Sequence, residues 1–299
     1  MNRKLKVVII ILIIITDISI FLNFYYFEKY EIEKYRAINS ENNENNAFVH
    51  FSIDDCINIF YDLDENKNKY NSIFDNSLLK YLKKLNSEYG CKFSLYVFEN
   101  NETFNIKDCT EKYKDEFEEN SSWLKFGFHG LNTNSDYNRQ EDKMKLVNDY
   151  KLVINNLKRI VGEKSITNIF RIEKFLCNSE NAKELKEEIK DYTLLGADTE
   201  NRLDYYLTEE KNKKLFESEC YFDQDTKILF YNTDFRLENI ENNNINKMLD
   251  SMQDKNLIIF THEWIFDNVR SQVSIKYKIN EICKYAIKNG YKFEYPYNN

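Results

Sequence analysis

Two aspartates, Asp54 and Asp55, stand side by side at the end of the apolar run "AFVHFSIDDC" (residues 47–56). Adjacent like charges repel, so the pair needs a reason. A solvated turn or a helix cap is the ordinary one, because Asp is enriched at both. A chemical reason is also open. Asp55 and His129, the last residue of "WLKFGFH", offer a carboxylate and an imidazole to a divalent ion such as zinc, which accepts both. Zinc lowers the pKa of a water to about 7 and polarises a carbonyl. Asp54 could then take the proton from that water as general base, and His262, in "LIIFTHE", could protonate the leaving group. Arg171, in "NIFRIEKF", could orient Asp54 through a bidentate contact. One geometric demand follows: neighbours on a regular strand point to opposite faces, so Asp54 and Asp55 share a pocket only if the strand turns at its end.

Other polar residues have plainer readings beside the chemical ones. His50 lies about 16 Å upstream of Asp55 along an extended strand and reads as a packed or hydrogen-bonded strand residue. Arg171 could form a surface ion pair, and Asp198, ending "LLGAD", could cap a helix. Glu263 reads as a rim residue, and Trp264 could either stack on a sugar face or pack.

The elements that must position these residues are legible from periodicity. Strands are expected at 47–54, 91–98, 123–128, 167–173, 193–198, 227–233, 256–262 and 291–295, from β-branched and aromatic runs such as "KFSLYVF". Helices are expected at about 72–87, 139–160, 180–190, 243–253 and 272–289, from 3.6-type spacing as in "MKLVNDYKLVINNLKRI". Strands interleaved with helices predict an α/β domain with a parallel sheet, open or closed into a barrel. In such domains reactive residues sit at the carboxyl ends of strands. Asp54 with Asp55, His129, Arg171, Asp198, and His262 with Glu263 fall at or near the ends of five expected strands.

Composition bounds the rest. The 299 residues are 42% hydrophobic, with 22 Tyr and 22 Phe, enough for a sizeable core. A net charge of −8 argues against a nucleic-acid partner. Residues 1–6 form a basic tail and residues 7–27 an apolar run, interrupted by Asp17. At 1.5 Å per helical residue that run spans about 30 Å, a hydrocarbon core's thickness. No small-x-small cleavage site follows, so it reads as an uncleaved transmembrane signal anchor, with the rest of the chain outside the cytoplasm. Residues 28–46 read as a polar stalk, and 47–299 as one domain without a composition break. None of the six cysteines sits in a C-x-x-C pair, which excludes a zinc ribbon or thioredoxin motif.

The ordered set resembles the polysaccharide deacetylases of the NodB-like superfamily over most of residues 47–296. "SIDDC" is similar to their Thr-Phe-Asp-Asp-Gly motif, "FHGLNTN" to their His-Ser/Thr-x-x-His, "FRIEKF" to an Arg-x-Pro-Tyr type, "GADTEN" to their fourth motif and "FTHEW" to Leu-His-Asp. The resemblance implies an irregular (β/α) barrel that removes acetyl groups from amino sugars or O-acetylated glycans, frequently on a bacterial envelope. It implies Asp54 as catalytic base, Asp55 and His129 as metal ligands, and His262 as catalytic acid, with Arg171 and Asp198 from the third and fourth motifs. The implied cofactor is a divalent metal, zinc by expectation, and the implied substrate a carbohydrate polymer. Cys56 stands where the motif has Gly, no Pro follows Arg171, and Thr133 falls where the second motif has its second His. The third ligand is therefore open among Asn132, Asn134, Asp136, water or His262. Two alternatives stand beside the deacetylase: a catalytically degraded glycan-binding envelope protein, and a glycosidase using Asp54 and Glu263 some 5–9.5 Å apart.

Overall fold

The computed structural model describes residues 3–42, 47–138, 144–252 and 255–296. It begins with a 40-residue helix, α1 (Arg3–Asn42), so the expected stalk continues as helix through Asn42. Within it, Ile9–Phe27 has a mean hydropathy of 2.1 and is not buried against the rest of the protein, so it is long and apolar enough to cross a membrane. The domain that follows runs β1 (Phe48–Cys56), α2 (Asn58–Glu65), α3 (Ser77–Tyr89), β2 (Phe93–Phe98), α4 (Lys114–Glu119), β3 (Leu124–Gly130) and α5 (Lys145–Val161). It continues through β4 (Ile169–Phe170), α6 (Ser179–Ile189), β5 (Thr193–Leu195), α7 (Glu209–Ser218), β6 (Cys220–Asp223), β7 (Ile228–Tyr231) and β8 (Phe235–Arg236). The last elements are α8 (Ile245–Asp250), β9 (Leu257–His262), α9 (Val269–Lys288) and β10 (Lys292–Phe293).

The fold is mixed α/β. One sheet is parallel throughout, in the order β3-β2-β1-β9-β8 with β10 beside the start of β1; a second has the order β4-β5-β7-β6, with β6 antiparallel. The expected single ladder is thus divided. The two sheets touch at a parallel bridge between Phe126 and Ile166. On the other side, Thr233 N–H donates to Ala197 and Asp234 N–H to Ile258. Gly127 permits the first approach, because a Cβ there would lie 3.0 Å from Tyr96 and 3.2 Å from the Ile169 carbonyl.

Several expected elements are shorter than the sequence pattern suggests. The strand expected at 167–173 is only Ile169–Phe170, because the chain leaves the ladder at Arg171 and turns at Glu173–Phe175. The helix expected from 139 runs from Lys145, and residues 139–143 lie outside the described residues. The helix α7 carried no apolar period to announce it; its buried residues are only Asn212 and Leu215. By contrast α3 reads cleanly: Leu78, Leu79, Leu82, Leu85 and Tyr89 form its buried face, Asn76 accepts from the Leu78 and Leu79 N–H groups, and Gly90 ends it at φ +79°.

The faces of the large sheet differ in chemistry. Val49, Phe51 and Ile53 on β1, with Phe93, Leu95 and Val97 on β2, are buried in an apolar core. On the opposite face the period of two places His50, Ser52 and Asp54, with Ser94 and Tyr96, and in register with them Phe260 and His262. His50 is fully buried there, 5.7 Å ring to ring from Tyr295. Burial, then the Arg171 charge, lowers its pKa to about 3, so it is a neutral packed residue.

Candidate metal centre and catalytic site

The polar face ends in a site at the carboxyl ends of β1, β3, β4 and β9. β1 meets the geometric demand made by its two aspartates with a bulge. Its ladder with β2 slips between Ile53 and Cys56, and Asp55 adopts φ +59°. Asp is among the residues that tolerate the left-handed region. The bulge re-aims one carboxylate relative to the next, the usual function of an extra residue in a strand.

Asp54, buried, meets Arg171. The Nη1 group of Arg171 donates to both Asp54 carboxylate oxygens, at 2.9 and 3.0 Å, and to Ser52 Oγ at 3.1 Å; Nη2 donates to Thr233 Oγ1 at 2.8 Å. The guanidinium also lies 4.2 Å from the centre of the Phe260 ring. Arg171 follows β4 directly and therefore ties the second sheet to β1. A buried carboxylate needs such a partner, because an unpaired charge out of water is costly.

Asp55 meets His129. The His129 Nδ1 lies 2.5 Å from the Arg171 carbonyl oxygen, which can only accept, so Nδ1 carries the proton. Nε2 faces two carboxylates: Asp55 Oδ1 at 3.1 Å and Glu173 Oε2 at 3.3 Å. Ligand atoms from all three residues lie within 4.8 Å of one another. Around a tetrahedral ion with bonds of about 2.0–2.1 Å, neighbouring ligand atoms are some 3.3 Å apart. The chemistry fits as well, since a metal-bound imidazole normally donates its other N–H to a carbonyl or carboxylate. Burial opposes a charge on His129, but the hydrogen bonds to Asp55 and Glu173 outweigh it and raise its pKa to about 10. Burial likewise opposes ionisation of Asp55, and is outweighed by His129 first, then His262 and Trp264, which hold its pKa below the ordinary value. These groups are arranged for a positive charge between them.

His262 pairs with β1 in register opposite Asp54. Its Nδ1 lies 2.9 Å from Glu238 Oε1, and the same oxygen accepts from the His262 backbone N–H at 2.8 Å and from Thr261 Oγ1 at 2.9 Å. Burial raises the Glu238 pKa, but the His262 hydrogen bond and charge more than offset it, leaving it below the ordinary value. An ionised Glu238 fixes the proton on Nδ1 and leaves Nε2 as the free nitrogen.

Glu173 and Glu238 were not anticipated from the sequence. Glu173 is two residues beyond Arg171 and is held by a turn in which Lys174 and Phe175 both have φ +57°; Lys174 further binds the Thr133 carbonyl and Arg202 binds the Lys174 carbonyl. Of the expected third-ligand candidates, Asn132 accepts through Oδ1 from the Asn134 N–H and donates through Nδ2 to Asn100, and Asp136 Oδ1 accepts from the Asn138 N–H. Asp198 is placed differently from His262's partner. Its carboxylate accepts from Asn239 at 3.3 Å, next in sequence to Glu238. Glu263 is buried, and both its oxygens accept from the Ile57, Asn58 and Ile59 N–H groups, each at 2.7 Å, capping α2 from a distance. Burial raises its pKa to about 7 against those three bonds. A carboxylate so engaged is poorly placed to share glycoside chemistry with Asp54, itself held by Arg171.

No protein-family model matches the sequence, and no curated protein does. Among solved structures, one described as a "putative polysaccharide deacetylase from Mycobacterium smegmatis" is similar at a TM-score of 0.49 and 11% identity, over 80% of this chain and 84% of that one. A likeness at that level leaves the functional argument to the geometry of the site.

Proposed function

We propose that this chain is a metal-dependent hydrolase that removes acetyl groups from an extracellular polysaccharide or cell-wall glycan. The observation that carries the reading is the division of two adjacent carboxylates, Asp54 to Arg171 and Asp55 to His129 with Glu173. Asp55, His129 and Glu173 would hold the ion, with zinc the expected one. A divalent ion there would supply Lewis acidity toward the acyl carbonyl and acidify an attacking water. Asp54, its orientation set by Arg171, accepts the proton of that water through lone pairs that Arg171 leaves free. His262, with its Nδ1–H committed to Glu238, acts as the acid in its doubly protonated form, giving the Nε2 proton to the departing amine or alkoxide and keeping the Nδ1 proton. A complete set of three ligands supports this over a degraded glycan-binding site.

The carbohydrate substrate rests on the motif resemblance, and the membrane location on the apolar segment of α1. In this reading residues 1–6 face the cytoplasm, 7–27 anchor the chain, 28–46 form the stalk, and 47–299 form the catalytic domain on a barrel closed by the two sheets. The test is acetate release from N- and O-acetylated glycan oligomers by native protein and Asp55→Ala, each supplied with zinc. Release by the native protein, reduced to background in the variant, is expected. No release from any acetylated glycan, or equal release by both, contradicts the proposal.

A further inference from the structure

We infer that Trp264 is a stacking platform that seats a pyranose ring of the substrate against the site, a role that rests on the glycan reading above. The indole is 48% exposed, a large apolar surface left in water. It stands on the turn Glu263–Asp267 directly after β9. That turn is pinned, because the buried Glu263 carboxylate takes three backbone N–H groups at the start of α2. The ring itself is held 5.5 Å from the His262 imidazole at a 32° tilt, and the side chain is among the groups that lower the pKa of Asp55. It is therefore a fixed aromatic surface beside both the proposed proton donor and a metal-ligand carboxylate.

Such a surface has a natural complement. A pyranose with equatorial substituents presents C–H bonds on its faces, weakly positive and apolar, which match the negative face of an aromatic ring. A ring stacked on Trp264 lies next to His262 and Asp55, so an acetyl group on a neighbouring equatorial nitrogen or oxygen can enter between them. The inferred ligand is a glycan of gluco-type pyranoses.

Metal-free binding separates this from catalysis. The full-length chain in detergent, treated with a chelator, is titrated with a β-1,4-linked tetramer of N-acetylglucosamine while tryptophan emission is followed. The second tryptophan, Trp123, is 7% exposed and serves as an internal fold reporter. Saturable change in the native emission is expected, with calorimetric affinity about tenfold weaker in Trp264→Leu and within about threefold of native in Trp264→Phe, which keeps a ring and loses the N–H. With zinc restored, the Leu variant should show raised KM more than lowered kcat. Native protein that does not bind the tetramer, or a Leu variant that binds it as well as native, overturns the platform. Binding through Trp264 without acetate release leaves the platform standing and removes the hydrolase reading; release with unchanged kcat/KM in the Leu variant does the opposite.

Discussion

The two ends of the strands carry comparable numbers of charged residues arranged in opposite ways. At the amino ends of β4 and β5 a cleft of about 700 Å³ is lined by Lys125, Lys151, Lys158, Glu163 and Glu188 among others. Its charges cancel locally: Lys158 pairs with Glu163 at 2.9 Å and Lys151 with Glu188 at 2.8 Å. At the carboxyl ends, two carboxylates converge on Nε2 of one imidazole, whose Nδ1–H is held by a backbone carbonyl. Open space with balanced charge is ordinary surface. Fixed geometry with unbalanced charge marks a candidate functional site, and the carboxyl end has that arrangement.

That contrast can be broken in order of expected effect. The largest is at the proposed ligands: Glu173→Ala should lower acetate release by about a thousandfold or more, since a three-ligand set does not survive loss of a member. Steady-state acetate assays at saturating zinc check this. Next, Arg171→Ala leaves Asp54 buried without its partner, and should cost about 3–5 kcal/mol of stability in urea unfolding. The matched change at the other end, Lys151→Ala, breaks a half-exposed pair and should cost about 1 kcal/mol at most. Equal losses for the two would erase the distinction between the ends.

Glu238→Gln keeps the shape beside His262 and removes the charge that sets its tautomer. A fall in kcat of about a hundredfold is expected, with an altered pH–rate profile and an unchanged melting temperature. An unchanged profile would detach Glu238 from the chemistry. A pH-dependent effect concerns His50, whose folded pKa lies near 3. A depressed histidine pKa contributes stability that is complete above about 6.5 and is lost as the pH falls from there toward 3. Well below 6.5 the loss approaches about 1.4 kcal/mol per pH unit. His50→Phe should flatten that acid slope in denaturant titrations between pH 6 and pH 4.

Much of the candidate site was legible because its polar residues fall at strand ends. Asp54, Asp55, His129 and His262 each close an apolar run, and Arg171 follows one at once. What escaped depends on backbone that leaves no pattern. Glu173 reaches His129 through two successive left-handed residues, neither of them Gly, and nothing in "FRIEKF" announces that turn. Glu238 follows a two-residue strand too short for any period to reveal. The same shortness explains why "GAD" reads as a strand end although β5 stops at Leu195, leaving Asp198 in the following loop. The sheet's parallel core was readable from β1, β2 and β9; the split into two sheets turns on short strands and on contacts such as that at Gly127, which periodicity does not encode.

The proposed hydrolase requires that Asp55, His129 and Glu173 form one cation site. Equilibrium dialysis of the chelator-treated full-length chain against zinc, with metal quantified by elemental analysis, tests it directly. One ion per native chain is expected, with binding weakened at least about a hundredfold in both Asp55→Ala and Glu173→Ala. Native-like stoichiometry and affinity in those two variants would contradict it.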